Sequence, residues 1–133
     1  MALKSSSSFS AESVVRHFWE LMSSNDFASV GEVLADSFVA EWPQSNERIR
    51  GRSNYAHINS EYPAHGRWVF TLHQLVASDE QVVTEVSITD GVQRARAISF
   101  FTVEKGKITR MLEYWPEDYP APANRAHLVE PIT

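Results

Sequence analysis

The chain contains no cysteine. That excludes thiol nucleophiles, disulfides and thiolate metal sites, and it fits a reducing, cytoplasmic setting. No apolar run approaches the ~20 residues that a membrane helix needs, so no membrane partner is expected. Basic residues are scarce, with 12 Lys and Arg against 17 Asp and Glu and a formal net charge of −5. They form no cluster, and phosphate binding needs grouped Lys and Arg, so no nucleic-acid partner is expected. Glycine-rich phosphate loops and a serine nucleophile elbow are also missing. The five histidines, His17, His57, His65, His73 and His127, are scattered, with no two at i, i+4 on one helix. No metal site and no other cofactor is expected.

What is present suits one globular domain. Apolar residues make up 43% of 133 residues, enough for a single core. Residues 1–8 read as a disordered tail and residues 9–133 as a single domain. Within it, 116–133 form an extended C-terminal arm that holds four of the six prolines.

Helices come first. Ser10 is placed to cap a helix whose apolar stripe is Val14, Phe18, Leu21 and Met22, widened by Val15 and Trp19. Asp26 is placed to cap a shorter helix with Phe27, Val30, Val33 and Leu34. Phe38 to Trp42 reads as a strand ended by Pro43, and Gln44 to Arg50 as a polar loop. Gly51 to Tyr62 predicts a third helix with Tyr55, Ile58 and Tyr62 on one face.

Strands follow. Trp68–Ala77, Val82–Thr89, Ala95–Val103 and Ile108–Trp115 are rich in Val, Ile, Thr, Phe and Trp. Asp79-Glu80, Asp90-Gly91 and Lys105-Gly106 lie between them as turns. Links this short favour antiparallel hairpins over parallel crossovers. The sum is an α+β fold, three N-terminal helices against a curved sheet.

Several segments carry a resemblance: Val14-Val15-Arg16-His17-Phe18-Trp19, Asn25-Asp26-Phe27, Leu34-Ala35-Asp36-Ser37-Phe38, Ile49-Arg50-Gly51 and Phe101 to Ile108. In order and spacing they resemble the nuclear-transport-factor-2-like superfamily, and within it the SnoaL-like polyketide cyclase group, over Phe9 to Trp115. The resemblance implies a cone-shaped α+β fold with an antiparallel or mixed sheet wrapped around the helices. It implies a pocket, a homodimer packed through the sheet, and no cofactor. It does not select a function, because this fold hosts isomerases, cyclases, epoxide hydrolases, dehydratases and non-enzymatic modules.

Strand parity then ranks the candidate residues. If Trp115 points inward, so do Glu113 and Met111. A carboxylate among apolar side chains has its pKa raised and becomes a usable acid or base near neutral pH. In SnoaL-like cyclases the acid/base Asp lies on this strand. Met111-Leu112-Glu113 is similar in position, with Glu in place of Asp and Met in place of His. Glu113 is therefore the catalytic candidate; the competing reading pairs it with an arginine or a backbone donor.

Ketosteroid isomerase shares the fold, but its three functional positions align with Phe18, Trp42 and Ser99, which lack the needed phenol, base and acid. The Asp-Arg-Asp set of limonene epoxide hydrolases is absent, with Arg96 expected to face outward.

Trp19, Trp42, Asn59, Tyr62, Trp68, Ser99, Phe101, Met111 and Trp115 are the expected pocket residues. Their rings would suit a small apolar or aromatic ligand. Asn59 and Tyr62 would orient a carbonyl or hydroxyl at the mouth. His73, which shares parity with Val69 and Leu75, is expected at the surface or an interface. Apolar outer-face residues such as Val83, Ile98 and Phe100 point to a homodimer. The functional expectation is cofactor-independent acid/base chemistry of the isomerase, cyclase or lyase type on a small apolar or carbonyl-bearing molecule. The alternative is a non-catalytic binding or interaction domain that uses the same cavity.

Overall fold

The computed structural model describes residues 10–133. The tail expected over residues 1–8 lies outside the described residues. Two α-helices and six strands follow one another: α1 (Ala11–Ser23), β1 (Leu34–Trp42), β2 (Glu47–Arg50), α2 (Arg52–Glu61), β3 (Val69–Ser78), β4 (Gln81–Thr89), β5 (Arg94–Glu104) and β6 (Lys107–Tyr114).

Helix α1 starts where its cap predicts. The Ser13 amide donates to the Ser10 hydroxyl at 3.1 Å, and the Ser13 hydroxyl donates back to the Ser10 carbonyl at 2.9 Å. Its apolar stripe of Val14, Val15, Phe18, Trp19 and Met22 is buried, and Phe18 has no exposed surface. Removing a ring buried this deeply costs ~3–5 kcal/mol.

The sheet runs β2-β1-β6-β5-β4-β3 and is mixed. Strands β3 to β6 form the antiparallel meander expected from the short turns, while β1 lies parallel to β6. The α+β class and the helices-then-sheet layout are as expected. The sheet does not close into a barrel, because β2 and β3 remain its edges. The last hairpin turns on Lys105 and Gly106, both at positive φ (53° and 78°), a geometry suited to a two-residue turn.

Four expectations are corrected. The second helix is a 3-10 helix, Phe27–Val33, and Leu34 already belongs to β1. Asp26 offers no side-chain cap, and seven residues with Gly31 and two valines are too few to offset α-helix nucleation. The polar loop Gln44–Arg50 contains β2, an edge strand whose single buried residue is Ile49. An edge strand this charged looks like a loop in sequence. In α2 only Tyr55 is buried, while Tyr62 is 54% exposed.

In the C-terminal arm Tyr119, Leu128, Val129 and Ile132 are exposed, and Ala123–Leu128 form a 3-10 helix. Where the arm begins it is tied down by Gln44, whose side chain accepts from the Trp115 amide (2.5 Å) and donates to the Trp115 carbonyl (3.2 Å).

The fourth correction is one of parity: a bulge at His73 in β3 breaks the alternation that joined Val69 to Leu75. Val69 pairs with outward Thr89, whereas Leu75 pairs with buried Thr84. His73 itself is exposed and bonds the Ser87 hydroxyl at 2.6 Å.

Candidate functional site

Alternation on β5 and β6 turns Ala97, Ser99, Phe101, Met111 and Glu113 to the helix-covered face of the sheet. The register aligns Thr84, Ser99 and Glu113 across three adjacent strands. Trp42 reaches this row from the end of β1, which lies beside β6. Its indole Nε1 donates to Glu113 Oε1 at 3.0 Å, and the Ser99 hydroxyl donates to Oε2 at 2.5 Å. At the other end of the row, Trp19 Nε1 donates to Thr84 Oγ1 at 3.2 Å.

Glu113 is 3% exposed. Among the described residues no Lys, Arg or His forms an ion pair with it. Burial pushes its carboxyl up to about 7, against the opposing hydrogen bonds from Ser99 and Trp42. The arginine partner weighed at the sequence level is absent, and both donors are neutral side chains.

Glu113 lines a cavity of about 1040 Å³ that opens between α2 and the end of the sheet. Trp19, Trp42, Asn59, Tyr62, Trp68 and Trp115, all expected there, line it too. The aromatic residues stand in perpendicular pairs. Trp42 and Trp115 have centroids 6.0 Å apart at 88°, and Tyr62 and Trp68 are 5.9 Å apart at 73°.

Three of the expected pocket residues lie behind the wall. Ser99, Phe101 and Met111 have no exposed surface. Ser99 serves Glu113, and Phe101 packs edge-on against Phe18 and Trp19. Met111 Sδ accepts from the Tyr55 hydroxyl at 3.7 Å. Their parity was read correctly; helix α1 and Tyr55 lie between them and the open space. Asn59 sits on the wall but turns inward along its own helix, donating to the Tyr55 carbonyl at 2.8 Å.

Tyr55 itself was missed as a site residue. It lines the cavity beside Glu113, and burial, with the nearby Glu113 charge, holds its phenol well above the usual range. In sequence it is one apolar-face residue of a weak amphipathic helix, a pattern that reads as core.

The cavity rim, Tyr62 to Trp68, is held by side chains acting on backbone. Asn25, at φ 64°, pairs with Trp68 as a strand would: it accepts from the Trp68 amide (2.7 Å) and donates to the Trp68 carbonyl (2.8 Å). On the other side Asp90 accepts from the amides of His65 (2.8 Å), Val92 (2.9 Å) and Gln93 (2.8 Å) and from Gln93 Nε2 (2.9 Å). Burial would raise this carboxyl, but the four donors hold it well below the usual carboxylate range.

Arg96 faces outward, as expected, and pairs with Glu85. Among the described residues no group of three or more His, Cys, Asp or Glu is placed to hold a metal ion. No helix there is long and apolar enough to cross a membrane.

Residues 15–111 match the family model of the SnoaL-like domain. No curated protein matches the chain. Among solved structures, a putative ketosteroid isomerase from Kribbella flavida is 32% identical, with a TM-score of 0.85 over 92% of this chain and 90% of that one. An NTF-2 like protein of unknown function from Burkholderia xenovorans is 25% identical, with a TM-score of 0.75 over 92% and 95%. An LEH-like epoxide hydrolase from M. tuberculosis is 28% identical, with a TM-score of 0.63 over 80% and 82%. The chain belongs to the SnoaL-like domain family, within the nuclear-transport-factor-2-like superfamily.

Proposed function

We propose that the cavity takes a small molecule with an apolar or aromatic body and that Glu113 exchanges a proton with it. The chemistry is of the isomerase, cyclase or lyase type and uses no cofactor. One observation carries this reading: the buried carboxylate faces an open cavity and, among the described residues, is held only by neutral donors, Trp42 and Ser99. A carboxylate kept for stability alone would cost less opposite a cation or replaced by an apolar side chain. Here burial leaves Glu113 near half-protonated at neutral pH, where a general acid or base works best. Trp42 and Ser99 each engage one oxygen, which fixes the plane of the carboxyl. Tyr55 is placed to donate to a ligand oxygen, since its hydroxyl donates at 3.7 Å to the Met111 thioether, a weak acceptor, with the Asn59 side chain also in reach.

The kinship to a putative ketosteroid isomerase extends to the scaffold and not to that chemistry. The three positions that would carry it are Phe18, Trp42 and Ser99. Two of these serve Glu113 instead, so the proton-transfer group has moved to β6.

Glu113→Gln tests the role. The amide oxygen can still accept from Trp42, and the amide nitrogen can donate to Ser99. At pH 8 the melting temperature should hold or rise, because an uncompensated buried charge is gone. Turnover of the substrate, identified by mass spectrometry of co-purified ligand, should fall roughly 100- to 10,000-fold. A clear loss of stability at pH 8 would make Glu113 a structural partner and the cavity a binding site only.

The same reading includes a cytoplasmic homodimer packed through the outer face of the sheet. Val83, Ile98 and Phe100 lie there with Leu112 and Tyr114, and Phe100 is 42% exposed. Light scattering at tens of micromolar should give a dimer, and Phe100→Glu should dissociate it.

A further inference from the structure

The cavity wall combines three features. The first is the uncompensated carboxylate of Glu113 on its floor. The second is the pair of indoles, Trp42 and Trp115, standing at right angles with centroids 6.0 Å apart. Trp42 touches Glu113 through its Nε1, so the carboxylate and the rings belong to one subsite. The third is the charge at the mouth. Glu47, Glu117 and Asp118 line it, against Arg94 and Arg96, and Arg96 is already paired with Glu85.

We infer that the ligand is an organic cation, an amine or quaternary ammonium with an apolar body, whose charged end sits between Trp42, Trp115 and Glu113. Indole faces attract cations through their quadrupole, Trp most strongly of the aromatic residues, and the attraction grows when the cation is desolvated. A neutral apolar ligand would strip the remaining water from Glu113 and leave its charge worse off. A cation supplies the missing counter-charge in the same place. The acidic mouth and the net charge of −5 favour its approach.

The inference rests on the reading of Glu113 as an ionisable group that faces the cavity. A positive charge nearby would keep Glu113 ionised at pH values where the empty cavity protonates it, at the expense of its strength as a base.

The test compares choline with its neutral carbon isostere, 3,3-dimethylbutan-1-ol, by calorimetric titration into the full chain at pH 8. The two have the same shape and differ in charge. Choline should bind about 10-fold or more tightly than the alcohol, the size expected of a desolvated cation–π and ion-pair contact. Glu113→Gln should erase the preference. Trp115→Leu, at a half-exposed position just past the end of β6, should reduce it while the variant's melting curve remains cooperative. Equal binding of the two probes, tighter binding of the alcohol, or binding of neither overturns the cation assignment. Tighter binding of the alcohol leaves the proton-transfer role of Glu113 standing. That role falls separately, if Glu113→Gln destabilises the fold at pH 8.

Discussion

Two buried carboxylates in this protein behave in opposite ways. Asp90, 7% exposed at the end of β4, is surrounded by four N–H donors, three of them backbone amides, and its pKa is held well down. Glu113, 3% exposed in mid-sheet, has two side-chain donors and a pKa pushed up to about 7. Surface exposure alone therefore does not set the direction; Glu113 lies deeper and has fewer donors committed to its charged form, and both differences act the same way. A β-turn can aim several amides at one point, so Asp90 becomes a knot between the rim and the β4–β5 turn. Within a strand such as β6 the backbone N–H groups are spent on the ladder, so the Glu113 carboxyl relies on side-chain donors.

The contrast can be broken first at Glu113. A carboxyl raised in the folded state contributes stability that is full below its unfolded value near 4.5 and is lost as pH rises through about 7. The difference of roughly 2.5 units corresponds to about 3 kcal/mol. Unfolding free energy measured from pH 4.5 to 8 should fall by about that amount more in the parent than in Glu113→Gln, in which other titrating groups cancel. Parallel curves would mean that Glu113 is ionised throughout.

Asp90→Asn tests the opposite pole. The amide nitrogen cannot accept, so at least one of the four donors is left without a partner. The melting temperature at pH 7 should drop by several degrees, and Trp68 should become more accessible to a fluorescence quencher. The sign with pH is reversed here. The Asp90 contribution is present above its unfolded value of 3.8 and is lost as pH falls, so the difference from the variant should shrink in acid. A constant difference down to low pH would count against the knot.

Ser99→Ala sharpens the comparison by removing one of the two donors at Glu113. The hydrogen bond lowers the pKa, so its loss should move the Glu113 titration, followed by carboxyl carbon NMR, further upward. Stability at pH 8 should fall by about 1.5–3 kcal/mol, the range for a hydrogen bond to a charged group. An unmoved titration would show that Trp42 alone holds the carboxylate.

The smallest effect concerns the arm. Since Tyr119, Leu128 and Val129 are exposed, deleting Pro120 to Thr133 should leave the melting curve of dilute monomer unchanged. A loss confined to protein concentrated enough to dimerise would show that the arm packs on the partner.

Much of this was legible in the chain. The Ser10 cap and the stripe from Val14 to Met22 specify α1, and alternation in four β-rich runs puts Glu113 on the inner face. Those are local properties: a cap is read within four residues, and strand parity within two. The edge strand β2 was not legible, because only Ile49 of its four residues is buried. Nor was the shift of parity at His73, because a bulge is an event of pairing and leaves no mark in composition.

What only the tertiary structure decided is the company Glu113 keeps. Trp42 is 71 residues away in sequence and Ser99 is 14 away. They meet at one carboxyl because β1 docks parallel to β6 and β5 pairs antiparallel to it. The sequence by itself determined that a carboxylate would face inward. The pairing of distant strands determined that it would face neutral donors and an open cavity rather than an arginine, and a pKa depends on those neighbours.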